Sequence, residues 1–150
     1  MTIFFADTSA IIKRYVPESG SDWVGSWAKL PSTDAVIISE ITTVETVAFF
    51  TRRQREKNLS SDDLAMLRND FLLHVEREYL VISVDSVVFI RARNLVHRYP
   101  LRAIDAVQLA CALDVMRALN LSLTFVSADR MLLAAAALEG LATDNPENHI

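Results

Sequence analysis

A chain of 150 residues with 51% hydrophobic and 23% charged side chains has the make-up of a folded protein and excludes a disordered one. At this length a single domain, 1–150, is expected to bury roughly 70% of the surface its unfolded chain exposes. The net charge of −4 argues against a surface that binds nucleic acid everywhere, while leaving local basic patches open.

The first residues carry no basic segment, and their apolar run is too short for a secretory signal. No stretch approaches the roughly 18 apolar residues of a membrane span. Cys111 is the only cysteine, so no intrachain disulfide or cysteine cluster can form. A cytoplasmic protein with no membrane contact is expected.

Ile3-Phe4-Phe5-Ala6 reads as a short strand buried on both faces. It stops at Asp7, and Thr8 and Ser9 offer capping hydroxyls for a helix expected from Thr8 to about Val16. A carboxylate is thus placed where a buried strand hands over to a helix. That is where open α/β sheets bind ligands, and it is also a favoured helix-capping position. A second short helix carries Trp23, Val24 and Trp27, the two tryptophans sharing a core face. Ala35–Ile38 is the second strand. Ser39-Glu40 opens a long helix from Ile41 to about Lys57, and after a break at 58–63 another carries Leu64, Leu67, Phe71, Leu72 and Val75 at helical spacing. Leu80–Val84 is the third strand, followed by helices over about Val87–His97 and Leu101–Leu119. Leu123–Val126 is the fourth strand, Ser127-Ala128-Asp129 starts a last helix through Leu138, and Leu141–Thr143 is a short edge strand. Residues 144–150 read as a frayed tail. Apolar strands alternating with helices predict an α/β three-layer sandwich, a central parallel sheet of four to five strands with helices on both faces.

Further carboxylates sit where packing alone would not put them. The helix from Leu101 is apolar nearly all round, yet Asp105 lies in its first turns; a buried, unpaired carboxylate is costly. Arg102, three residues back, offers a structural partner as the alternative to a functional role. Glu45 shares a face with Ile41, Ala48 and Phe49, whereas Glu40 in the first turn simply complements the helix dipole. Asp129 repeats the Asp7 pattern at the end of the fourth strand, with capping as its competing role, and Asp85 reads as a cap. Carboxylates converging on one crevice need a cation. With His74, His97 and His149 scattered and Cys111 in a buried helix, oxygen-only ligation points to Mg²⁺ or Mn²⁺, ions that polarise phosphate oxygens and generate hydroxide for in-line displacement.

Phe5-Ala6-Asp7-Thr8-Ser9-Ala10, Ser39-Glu40-Ile41-Thr42-Thr43-Val44-Glu45, Ala103-Ile104-Asp105-Ala106-Val107-Gln108-Leu109-Ala110 and Phe125-Val126-Ser127-Ala128-Asp129 resemble the four signature segments of PIN-domain ribonucleases, in the family's order and across essentially the whole chain. The nearest likeness is to VapC toxins of toxin–antitoxin pairs. The resemblance implies a PIN-like fold and a metal-dependent RNase leaving 5′-phosphate and 3′-hydroxyl ends. Asp7, Glu45 and Asp105 fall on the family's core acidic positions, Asp129 on its more variable fourth, and Ser9 on the small hydroxyl position that helps order the site. Lys13-Arg14 resembles the basic continuation seen in many of these toxins. It further implies a cognate antitoxin and a homodimer as partners.

Arg14, Arg52, Arg53, Arg55, Arg102 and Arg130 are candidates to guide an RNA backbone, through contacts that give affinity and salt dependence without sequence choice. Two other classes compete: a phosphotransfer protein built on a strand-end Asp, though Ser9 stands where a phosphatase would want a second Asp, and a PIN-like binding module with a silent site.

Overall fold

A computed structural model describes residues 1–150. The chain runs β1 (Ile3–Ala6), α1 (Thr8–Ile11), α2 (Ser21–Ala28), β2 (Ala35–Ser39), α3 (Glu40–Arg55), α4 (Ser61–Arg77), β3 (Leu80–Ile82), α5 (Ser86–Arg98), α6 (Ala103–Leu119), β4 (Thr124–Val126), α7 (Arg130–Leu138) and β5 (Ala142–Asp144). The five strands form one sheet in the order β3-β2-β1-β4-β5, every neighbouring pair parallel. No helix is long and apolar enough to cross a membrane.

Strand residues alternate between faces, and here both faces are covered. Phe5, Ile37 and Phe125 join one core with α5, α6 and α7. Phe4, Ala6, Val36, Ile38 and Val126 join the other with the elements from α1 to α4. Trp27 is buried and stacks on Phe4 at 4.3 Å, the core role expected for it. The expected three-layer α/β sandwich is therefore the fold.

Strand order also locates a crevice. From β1 the chain moves outward on one side to β2 and β3, then returns to the other side as β4 and β5. Connections leaving the C-terminal ends of β1 and β4 thus diverge to opposite faces, which opens the groove where doubly wound sheets bind ligands. Asp7 follows β1 directly, and Ser127 to Asp129 follow β4.

Several boundaries differ from expectation. The first helix is not continuous to Val16: α1 has four residues and gives way to a 3₁₀ turn, Ile12–Arg14. α3 stops at Arg55, and Lys57 takes a positive φ of 62° to turn the chain. α6 starts at Ala103 because Arg102 is extended. The third strand ends at Ile82. The tail is not frayed. Asn145 and Pro146 are buried, a 3₁₀ turn spans Pro146–Asn148, and the His149 ring lies flat on Trp23 at 4.0 Å. Gly20, at φ 85°, lets this tail approach: a Cβ there would stand 2.3 Å from the Pro146 carbonyl oxygen, so only glycine fits.

Candidate functional site

At the switch point lies a cavity of about 320 Å³ lined by Asp7, Glu45, Asp105 and Asp129 together with Ser9, Arg52, Arg102 and Gln108. The structure thus brings all five residues singled out from the sequence to one cavity.

Asp7 is at once a helix cap and a cavity wall. Its Oδ1 accepts from the Ala10 N–H at 3.0 Å and from Ser9 Oγ at 2.6 Å, and its Oδ2 accepts from Ser127 Oγ at 2.6 Å. Each hydroxyl is oriented from behind: Ser9 Oγ accepts the Ala128 N–H at 2.9 Å, and Ser127 Oγ accepts the Asp129 N–H at 3.0 Å. The two serines therefore tie the end of β1 to the loop after β4. No basic side chain pairs with Asp7, and burial pushes its carboxyl up from 3.8 to about 6, against the lowering hydrogen bonds from Ser127, Ser9 and Ala10 and with a smaller upward push from the charge of Asp105.

Glu45 projects from α3. The fully buried strip of that helix is Thr42, Thr46 and Phe50, not the strip expected; Ile41, Glu45 and Phe49 are half-buried and Ala48 is exposed. Glu45 Oε1 accepts from Thr8 Oγ1 at 2.6 Å and from Gln108 Nε2 at 3.2 Å.

Asp105 and Asp129 share a guanidinium. Arg102 Nε donates to Asp105 Oδ2 at 3.0 Å, and its Nη2 stands 3.9 Å from Asp129 Oδ2. The pairing anticipated for Asp105 is formed, but the Arg102 side chain is 78% exposed, so it lies across the mouth of the cavity and not in the core. Asp129 also caps α7, accepting from the Met131 and Leu132 N–H groups at 2.9 and 3.1 Å. Glu40 is exposed in the first turn of α3, and Asp85 caps α5 through the Val88 N–H at 3.1 Å, as expected of both.

One expectation about a basic residue is overturned. Arg14 does not face solvent: it is 7% exposed, pairs with Glu78 at 2.8 Å, and donates to the Ala28 carbonyl at 2.6 Å and the Tyr79 hydroxyl at 3.0 Å. Lys13 is buried too, with Nζ 3.1 Å from Glu18. Both lie in the 3₁₀ turn and are met there by these polar partners. Arg52, Arg55, Arg102 and Arg130 remain exposed.

As the side chains stand, no three acidic, histidine or cysteine residues converge closely enough to grip one metal ion. Thr8 and Gln108 occupy Oε1 of Glu45, and Arg102 occupies Oδ2 of Asp105. The donor set nonetheless fits a hard divalent cation. It is made of oxygen alone, and Asp7 is a buried carboxylate with no cationic partner, the environment in which a cation offsets the cost of burial.

Residues the sequence did not single out complete the site: Thr8, Thr42, Ser127 and Gln108, the last three fully or almost fully buried. A glutamine flanked by apolar residues in the buried stretch of α6 was a visible signal for Gln108. Thr8, Thr42 and Ser127 resemble any capping or helical hydroxyl.

The PIN domain family model matches residues 4–138, and the chain belongs to the PIN domain family. Among solved structures it is similar to FitAcB from Neisseria gonorrhoeae, at 19% identity and a TM-score of 0.61 over 98% of this chain and 99% of that one. It is also similar to VapC20 from Mycobacterium tuberculosis, a Sarcin-Ricin loop cleaving toxin, at 17% identity and a TM-score of 0.64 over 93% and 96% of the two chains. A third is VapBC2 from Rickettsia felis bound to a DNA fragment from its promoter, at 14% identity and a TM-score of 0.62 over 96% and 98%. No curated protein matches the chain.

Proposed function

We propose that this PIN domain is a Mg²⁺- or Mn²⁺-dependent endoribonuclease and the toxin of a toxin–antitoxin pair. The observation that carries the reading is the convergence of Asp7, Glu45, Asp105 and Asp129 on one cavity at the switch point of the sheet, in a chain of this family. These four carboxylates would hold the cation, which when bound polarises a phosphate oxygen and activates water. Ser9 and Ser127 fix both oxygens of Asp7, so the deepest carboxylate is held in place beforehand. Arg52 and Arg102 at the cavity and Arg130 at the start of α7 stand where guanidinium groups can grip a phosphodiester. The cavity lining contains no histidine or lysine, so proton movement there falls to carboxylates and water.

An antitoxin and a second copy of the chain are the proposed protein partners, in keeping with toxin–antitoxin complexes among the structural relatives. Val44 on α3 and Met66, Leu72 and Leu73 on α4 are exposed, as are Val87, Phe89, Ile90 and Val96 on α5, more apolar surface than isolated exposed side chains account for. The test is cleavage of single-stranded RNA by purified protein with Mn²⁺, with Mg²⁺ and with chelator, beside Asp7→Asn. Metal-dependent cleavage lost in the variant supports the reading; parental cleavage by Asp7→Asn, in protein cleared of host nucleases, defeats it.

A further inference from the structure

Gln108 is 2% exposed on α6, three residues beyond Asp105. Its Nε2 donates to Thr42 Oγ1 at 2.7 Å and also reaches Glu45 Oε1 at 3.2 Å and Thr8 Oγ1 at 3.3 Å. Its Oε1 is buried with no partner. The amide is held this way round by what it faces, since the reverse orientation would set its carbonyl oxygen against the Glu45 carboxylate.

The directions of the other bonds follow from counting protons. The single hydroxyl proton of Thr8 goes to Glu45 Oε1, at 2.6 Å. Thr42 Oγ1 lies 3.1 Å from Thr8 Oγ1, so in that contact Thr42 is the donor. Every donor in the cluster therefore runs one way, from Gln108 through Thr42 and Thr8 to Glu45, with a second, direct bond from Gln108. Oε1 of Glu45 receives two hydrogen bonds, while Oε2 receives none from the protein.

We infer that Gln108, with Thr42 and Thr8, is a positioning residue that ties down Glu45 Oε1 and leaves Oε2 as the oxygen offered to a divalent cation, an inference that rests on the metal-nuclease reading above. Packing alone does not account for the glutamine. An unbranched apolar side chain would fill the same space between α6 and α3 without burying a carbonyl oxygen that has no partner. The amide is explained by what it donates.

The experiment measures Mn²⁺ binding to the full chain by calorimetry and melting in chelator, for the parent, Gln108→Met, Thr42→Val and Thr42→Ser. Residues that orient metal ligands typically change affinity by about 10- to 100-fold. Gln108→Met is expected to bind Mn²⁺ about 10-fold more weakly while melting in chelator no lower than the parent. Thr42→Val should shift affinity the same way, and Thr42→Ser, which keeps the hydroxyl, should restore it. A folded Gln108→Met that binds Mn²⁺ as tightly as the parent overturns the inference and makes the glutamine a structural bridge. Should Gln108→Met fail to fold, the Thr42 pair decides: weaker binding by Val and parental binding by Ser uphold the inference, and equal binding by both overturns it. A parent that binds no Mn²⁺ overturns the metal-nuclease reading as well, whereas a parent that binds beside variants that bind equally overturns this inference alone.

Discussion

Asp7 is the residue on which the site's energetics turn. Burial raises its carboxyl from 3.8 to about 6, so between those values the folded state holds more protons than the unfolded one. Stability then falls as pH rises through this window, and the cost of the buried charge is fully present above it. In chelator at pH 8, Asp7→Asn is expected to be more stable than the parent by up to roughly 3 kcal/mol, the difference closing below about pH 4. Denaturant melts at the two pH values check this, and a parent as stable as the variant at pH 8 contradicts it. Arg102 gives a second prediction. Its guanidinium is largely in water, so Arg102→Ala should cost no more than about 1 kcal/mol of stability. Because the side chain competes for the Asp105 oxygen that a cation would need, the same variant should bind Mn²⁺ more tightly in calorimetry; weaker binding would make the arginine an aid to the site instead of a rival. The acids themselves were legible because Asp105 and Glu45 interrupt apolar helices and Asp7 ends an apolar strand. The hydroxyls and amide that orient them were not, since a threonine or serine near a helix start has the same local pattern whether it bonds its own backbone or a carboxylate from another element.

At the scale of elements, hydrophobic periodicity located every helix and strand, and failed where polar groups are buried by partners distant in sequence. The buried strip of α3 begins with Thr42 and Thr46, and periodicity, which follows apolar residues, selected a neighbouring strip. Arg14 was misplaced for the same reason. Basic residues within the expected first helix suggest a solvated face, but Glu78, Tyr79 and the Ala28 carbonyl, from two other parts of the chain, meet its guanidinium inside. The interaction anchors the C-terminal end of α4 to the α1–α2 layer. Arg14→Met should therefore destabilise the protein by about 3 kcal/mol, because it strands a largely buried carboxylate, and should leave the salt dependence of RNA binding untouched. A variant with parental melting and a shallower salt response would return Arg14 to the RNA surface.

For the whole molecule, the sequence carried the α/β layering but not the strand order, since no local pattern says on which side of β1 the fourth strand will pair. That choice makes the switch point and hence the cavity. For the RNA substrate proposed above it also creates an electrostatic problem, since the protein carries a net charge of −4 and its site is a group of carboxylates. A uniform surface would repel such a ligand, so on that proposal affinity comes from a few arginines beside the cavity, and each phosphate they neutralise should contribute about −0.7 to the slope of log K against log salt for a single strand. In the Asp7→Asn background, which keeps RNA intact during measurement, Arg52→Ala and Arg130→Ala are each expected to flatten that slope by about 0.7 without lowering the melting temperature, both side chains being exposed. Arg98 is the control: it is half exposed, pairs with Glu139 at 2.7 Å and lies outside the cavity lining, so Arg98→Ala should leave the slope as it was. Equal flattening by all three would mean that RNA senses only the net charge of the protein, and the arginines at the switch point would lose their assigned role.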